Sequence, residues 1–206
     1  MEKIIGISGS TVKNGVVEKA LRRVLEATGL DYEIIRLHRI DMKQCLGCTK
    51  CAYSAQCILK DDINEVLDKI VKAPAVVFGT PARMGGLNSL AKSFFERLFP
   101  LFHDNHLAKK ITASVSGGAF DQELVAQEFS RLFKSYKMNE IGHITVGGNV
   151  SCYKCGKGES CPNSAFRMMY GDNAKIDDSV FYRFENDIEK QKEADLLGKK
   201  LREMIV

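Results

Sequence analysis

Short apolar runs alternate with amphipathic stretches along this chain, so the period of the hydrophobic pattern switches repeatedly between two and 3.6. Residues 3–8, 32–37, 75–79, 111–116 and 141–146 are compact apolar runs that predict five strands. The third is apolar almost throughout, as a central strand buried on both faces requires. Val17, Ala20, Leu21, Val24 and Leu25 recur on one side of a helix over 13–28, closed by Gly29. Ile63, Val66, Leu67 and Ile70 mark a helix opened by Asp61 and Asp62, whose charges favour its positive N-terminal end. Residues 87–102, 122–137 and 184–204 predict three further helices. This alternation predicts a single α/β domain over 1–206, a five-stranded parallel sheet covered by helices on both faces. Residues 147–182 break the pattern with turn residues and little periodicity, and predict an irregular excursion before the last helix.

Composition narrows the function classes. The 206 residues are 45% hydrophobic and 27% charged, enough apolar content for one substantial core. The formal net charge of +4 is scattered along the chain, with no basic block interleaved with aromatics, so nucleic acid is not implied. No apolar run approaches the roughly 18–20 residues that span a bilayer, and the N-terminus lacks a signal-peptide pattern. The expectation is a soluble, cytoplasmic protein without a membrane role.

In a reducing cytosol, clustered cysteines serve more often as metal ligands or redox thiols than as structural disulfides. Four of the seven cysteines, Cys45, Cys48, Cys51 and Cys57, fall in one segment with the spacing C-x2-C-x2-C-x5-C. One tight loop of this kind binds three corners of an iron-sulfur cubane and a fourth thiolate closes it. Tetrahedral zinc is the rival, although structural zinc sites normally join two separated knuckles, and a redox disulfide is a third reading. Lys43 and Lys50 flank the thiolates, as charge partners or as solvated surface residues. Cys152, Cys155 and Cys161 repeat the last three positions of this spacing, with Asn149 where the first cysteine would fall. They hold a second cluster or a metal ion with an outside ligand, pair as a disulfide with one thiol spare, or stabilise the loop locally. His38, His103, His106 and His143 have no partners at ligand spacing and read as cap or surface residues. Phe94, Phe95, Leu98, Phe99 and Phe102 recur at helical spacing and read as core, with the aromatic end a candidate subunit contact. No Ser-His-Asp or paired-carboxylate arrangement is assignable, so hydrolysis has no support.

Ligands of such sheets bind at the carboxyl ends of the strands, where the strand order reverses. After the first strand come small and hydroxyl residues, including Ser8, Ser10 and Thr11, leading into a helix N-terminus suited to a phosphate. The pattern is neither G-x-G-x-x-G nor the P-loop. The loops over 79–86 and 116–119 carry glycines that permit close backbone approach to a flat ligand. Three such loops point to a planar cofactor bearing a phosphate.

Residues 6–15, the segment 79–97 with Pro81, Lys92 and the pair Glu96-Arg97, and the loop Ser116-Gly117-Gly118 resemble the flavodoxin-like NADPH-dependent FMN reductase superfamily. With the compact cysteine motif after strand two, the chain is similar to the iron-sulfur flavoproteins of archaea and bacteria, over residues 1–147 and the last helix. The resemblance implies a doubly wound parallel sheet in the order 2-1-3-4-5, FMN, and a 4Fe-4S cluster on Cys45, Cys48, Cys51 and Cys57. It places the FMN contacts at Ser8, Ser10, Thr11, Asn14, Gly15 and Val16, at Thr80, Pro81, Ala82, Arg83, Met84 and Gly85, and at Ser116, Gly117 and Gly118. It implies homodimers or homotetramers in which a cluster approaches a neighbour's flavin. The activity it implies is electron transfer between a ferredoxin-like donor, the cluster and FMN, delivered to a small-molecule acceptor. The alternatives are an NAD(P)H-dependent FMN or quinone reductase with structural metal at the cysteines, and a flavin-free metal-binding partner protein. Two departures stand out. Val16-Val17 replaces the usual Asn-Thr, losing two side-chain phosphate contacts of about 1–3 kcal/mol each. Arg83 stands where an aromatic often follows the proline, and its charge is a candidate stabiliser of reduced flavin.

Overall fold

The computed structural model describes residues 2–206. Five parallel strands, β1 (Ile4–Ser8), β2 (Tyr32–Arg36), β3 (Ala75–Arg83), β5 (Ile111–Gly117) and β6 (Asn139–Val146), form a sheet ordered β2-β1-β3-β5-β6. That is the 2-1-3-4-5 arrangement, because β4 (Gly86–Leu87) is an extra two-residue strand antiparallel to β3. The helices are α1 (Val16–Ala27), α2 (Cys51–Ser54), α3 (Ile63–Lys72), α4 (Ser89–Arg97), α5 (Gln122–Ser135), α6 (Ala165–Tyr170) and α7 (Ile188–Ile205). No described helix is long and apolar enough to cross a membrane.

The period of two along each strand divides the apolar runs between two cores. Ile5, Ile7, Val76 and Phe78 point to the face covered by α3, α4 and α5, where Phe94, Phe95, Phe129 and Phe133 gather around Phe78. Ile4, Ala75, Val77 and Val115 point to the opposite face, covered by α1 and α7 through Leu21, Val24, Leu197 and Leu201. Fully burying each large side chain contributes about 1.5–3 kcal/mol. Register is therefore fixed, because a one-residue slip would exchange the two cores.

Several boundaries differ from the sequence pattern, each for a local reason. The first helix begins at Val16, not near 13, because Asn14 is left-handed (φ 54) and Gly15 is an extended N-cap. β3 continues through Arg83, beyond the expected 79, since Thr80 and Pro81 still pair with Ser116 and Gly117. It then turns at Met84 (φ 50) and Gly85 (φ 80) into β4, so the expected loop over 79–86 is a hairpin whose two tip residues carry the positive φ of a type I′ turn. The helix expected to reach 102 stops at Arg97 because Pro100 cannot continue the ladder. Phe94, Phe95 and Leu98 are core, while Phe102 is exposed and stacks on Phe99. The last helix starts at Ile188, capped by the Asp187 carboxylate, which accepts from the Lys190 amide at 3.0 Å. Within the excursion, α6 and short 3-10 turns give more order than the pattern predicts.

His143 is not a surface or cap residue. Its Nδ1 lies 2.6 Å from Ser114 Oγ and its Nε2 2.9 Å from Ser116 Oγ, beside the Phe129 ring. Burial, with a smaller effect of the Lys190 charge, pushes its pKa from 6.5 down to about 4. The unfolded chain therefore binds a proton between these two values that the folded chain refuses, and stability falls as pH drops through that window. Denaturant titrations should show about 3 kcal/mol lost between pH 7 and pH 4 from this group. His143→Gln should flatten the slope across the same window, and an unchanged slope would show that the imidazole does not control it.

Candidate functional site

Two cavities lie at the two ends of α4, one at its N-cap Asn88 and one at Arg97. The larger, about 800 Å³, lies over the carboxyl ends of β1, β3 and β5. Ser10, Thr11, Asn14, Gly15, Val16, Pro81, Ala82, Arg83, Met84, Gly117 and Gly118 all line it. Ser8, Thr80 and Ser116 do not; they lie fully buried in the sheet beneath the floor, because strand alternation turns them inward. Thr80 donates to Asn88 Oδ1 at 3.0 Å and Ser116 to the Gln122 carbonyl at 2.8 Å, whereas Ser8 Oγ has no partner. Gly85 sits at the hairpin tip, away from the cavity.

The phosphate-type loop is held from three sides. Ser10 Oγ accepts from the Val12 amide at 3.2 Å, and the Ser10 carbonyl is 2.9 Å from His38 Nδ1, giving that histidine a structural role. Asn88 caps α4 by accepting from the Ala91 amide at 3.0 Å, and its Nδ2 donates to the Gly9 carbonyl at 2.6 Å. The α1 N-cap, Gly15, has no side chain to cap the first-turn amides, which open toward the cavity beside Thr11 and Asn14. That unfilled helix start, with Lys19, Arg83, Lys154 and Arg183 against Asp121 and Glu185 around the cavity, fits a phosphate-bearing ligand. Val17 explains its own departure from the usual Asn-Thr. It is core, and a Cβ on Gly117 would come within 2.6 Å of its Cγ2, so the methyls fill space that glycine leaves between helix and strand.

Sequence reasoning missed the far wall. Gly148, Asn149, Val150, Ser151, Tyr153, Lys154, Ala165, Phe181 and Tyr182 line the cavity, so the excursion over 147–182 is its cover. A Cβ on Gly148 would meet Gly118 Cα at 2.7 Å, and one on Gly147 the Tyr182 ring at 2.5 Å. Asn149 is occupied by reciprocal hydrogen bonds with the Tyr182 backbone, 3.0 and 2.8 Å, and is not free to act as a fourth ligand to the second cysteine set. Asn88 was the one legible omission, since Asn before a helical run is an N-cap signal.

The second cavity, about 390 Å³, is lined by Cys45, Cys48, Cys51 and Cys57 together with Leu46, Ile58, Phe99, Pro100 and Arg97. Left-handed backbone at Gly47 (φ 62), Thr49 (φ 56) and Ala55 (φ 54) coils the loop around it. Asn64 clamps Cys57, accepting from its amide and donating to its carbonyl, both at 2.8 Å. Asp61 accepts from the Lys43 amide at 2.9 Å and forms a two-pronged pair with Arg97 at 2.6 and 2.9 Å. Arg97 also donates to the Lys43 carbonyl. Asp61 and Asp62 thus tie the loop down, instead of serving mainly the dipole of α3; Asp62 accepts from the Asp41 amide at 2.7 Å. Lys43 reaches the Lys60 carbonyl at 2.7 Å, away from the thiols.

Burial raises the Cys51 thiol pKa, and the neighbouring Cys57, Cys48 and Cys45 add to the rise. Burial and mutual repulsion thus disfavour the charged thiolate form of Cys51, and a cation shared among the sulfurs would offset that cost. No three Cys, His, Asp or Glu side chains among the described residues converge on a single-ion position, and the cavity far exceeds the ~10–15 Å³ that one water needs. At this cavity the buried donor Arg97 Nε has no partner among the described residues. Donor chemistry, room and unfilled hydrogen-bonding capacity together fit a multi-atom cluster.

Cys152, Cys155 and Cys161 lie within the cover itself. Their thiols do not line the large cavity, although Tyr153 and Lys154 between them do. Cys155 Sγ is 3.4 Å from the Cys152 carbonyl, and a Cβ on Gly158 would meet that carbonyl at 2.4 Å, so this loop is closely coiled.

The profile of the NADPH-dependent FMN reductase family matches residues 2–150. An iron-sulfur flavoprotein from Methanocaldococcus jannaschii is 31% identical over 147 residues, 68% of this chain and 76% of the relative. One from Methanosarcina thermophila is 29% identical over 72% of this chain and 82% of its own length. Among solved structures, RosB with a bound 8-demethyl-8-formylriboflavin-5'-phosphate intermediate superposes with a TM-score of 0.68 at 13% identity, covering 100% of this chain and 79% of RosB. A flavodoxin from the domain Archaea gives 0.56 at 12% identity, covering 98% of each chain. These two likenesses establish the flavodoxin-like fold. The chain belongs to the NADPH-dependent FMN reductase family and, within it, to the iron-sulfur flavoproteins, and it is an FMN-dependent oxidoreductase that carries out flavin-based electron transfer.

Proposed function

We propose that this protein moves electrons between a ferredoxin-like one-electron carrier, a 4Fe-4S cluster on Cys45, Cys48, Cys51 and Cys57, and FMN in the large cavity. A small acceptor, such as a quinone or an oxygen species, then takes them. The observation that carries the reading is the convergence of all four thiols on one cavity that holds a buried, unpartnered guanidinium nitrogen. FMN exchanges one or two electrons and the cluster one, so the pair joins one-electron donors to two-electron acceptors. The chain's own part is binding and orientation. The open start of α1 with Thr11 and Asn14 receives the phosphate, the loop of Gly117 and Gly118 admits a flat ring, and the cover over 147–182 keeps water out.

A second copy of the chain completes the route in this reading. Leu46 and Ile58 are exposed at the cysteine cavity, and Met84 and Phe120 at the large one, as subunit contacts in a homodimer or homotetramer require. Direct reduction by NAD(P)H is the second reading, favoured by the family match. Cys152, Cys155 and Cys161 hold a second cluster or a metal ion, with the remaining ligand from outside the loop.

Anaerobic purification followed by absorption spectroscopy and metal analysis tests the proposal. Flavin bands with a broad cluster shoulder and about four irons per chain are expected, more where the second set is loaded. Flavin with zinc supports the NAD(P)H-dependent reading, and neither chromophore supports a flavin-free binding protein. Cys48→Ser should abolish the first cluster's iron while FMN content is retained. Cys161→Ser should leave that cluster intact and lower only metal bound in excess of it.

Arg83 lies exposed at the cavity rim, where its charge favours the negative charge that the cofactor gains on reduction. Arg83→Ala should move the flavin potential to a more negative value, and an unmoved potential would remove Arg83 from this role.

A further inference from the structure

We infer that Arg97 donates a hydrogen bond from Nε–H to sulfur at the four-cysteine centre and thereby favours the centre's reduced state. The inference rests on the cluster reading above and adds a residue to it.

Arg97 is only 1% exposed, an unusual burial for a group that keeps its charge at any physiological pH. Its Nη1 donates to both Asp61 and the Lys43 carbonyl, and its Nη2 donates once, to Asp61. Nε is buried and has no acceptor among the described residues. A buried donor left unsatisfied costs about 1–3 kcal/mol, more when it belongs to a charged group. The side chain lines the cavity walled by the four thiols, and Cys57 acts on it both by charge and as a sulfur within hydrogen-bonding influence, although Nε closes no bond to it. Burial alone would lower the guanidinium pKa, and the Asp61 hydrogen bond with the Cys57 charge outweighs it.

Asp61 neutralises one face of the guanidinium and fixes its plane, so the fork cannot rotate to find another acceptor. Nε–H, on the one guanidinium nitrogen without any partner among the described residues, is left for whatever occupies the cavity. A thiolate or sulfide sulfur is the acceptor that this donor set supplies. Such donors tune iron-sulfur centres, because the bond strengthens as sulfur gains negative charge. An electron arriving at the centre therefore meets a donor already in place, with no chain movement needed.

Two measurements test this. In protein labelled with 15N-arginine, pulsed EPR of the reduced centre should show coupling to a side-chain nitrogen, since Arg97 is the only arginine among the described cavity-lining residues. In Arg97→Lys, which keeps the charge beside Asp61 but removes Nε–H, iron content should hold and the midpoint should move negative. A tenfold loss in the one-electron equilibrium, 59 mV, is expected. Iron present without 15N coupling overturns the inference and leaves the proposed function standing, as does a fully loaded lysine variant with an unchanged midpoint. Absence of iron from the native protein overturns both. Should the lysine variant fail to fold, the labelling result on the native chain decides.

Discussion

A carboxylate and a guanidinium, both withdrawn from water, hold the cysteine loop to the body of the protein. Asp61 sits just before α3 and Arg97 at the last turn of α4, and both are about fully buried. Desolvating two charges is expensive, and only close geometry with further hydrogen bonds offsets it. Asp61 has those bonds, from the amides of Lys43 and Ile63. Losing one partner of such a pair typically costs about 3–5 kcal/mol, because the other charge is left uncompensated. The segment from Lys43 to Asp61 is otherwise short of apolar anchors, with Leu46, Tyr53 and Ile58 exposed. The pair is therefore what converts a mobile run of thiols into a cavity of defined shape.

The same helix serves both sites. Asn88 caps α4 at the large cavity and Arg97 ends it at the cysteine cavity. Nine residues of helix span about 13 Å, so the two cavities are held at a set separation by a rigid rod. The rod is anchored along its length by Ala91, Phe94 and Phe95 packed into the aromatic core. Stability and the spacing of the two cavities thus draw on one set of contacts.

The large cavity depends on a different physical device, close backbone approach. Gly117 makes room for Val17, Gly118 and Gly148 bring the fifth-strand loop against the cover, and Gly147 lies under the Tyr182 ring. Side chains at these positions would push helix, loop and cover apart. The reciprocal amide pair between Asn149 and Tyr182 then latches the excursion in place. The second cysteine set lies within this latched excursion, and its cysteines are not among the residues that line the large cavity.

The strands, the helices and the grouping of Cys45, Cys48, Cys51 and Cys57 were legible from the residues, because period, turn chemistry and ligand spacing are local properties of a chain, whereas the strand order came only from the family resemblance. The phosphate loop was legible in the same way, as small residues before a helix. Boundaries were less so: the hairpin at Met84 and Gly85 depends on pairing with β5 and on Glu128, whose carboxylate accepts from the Leu87 amide at 2.8 Å. Tertiary structure alone decided that Ser8, Thr80 and Ser116 face inward, that His143 is a half-buried partner of two serines with a lowered pKa, and that residues 147–182 cover the cleft. It alone joined Asp61 to Arg97, 36 positions apart. Each of these is a contact between segments distant along the chain, and no periodicity or spacing within either segment encodes which partner packing will bring to it.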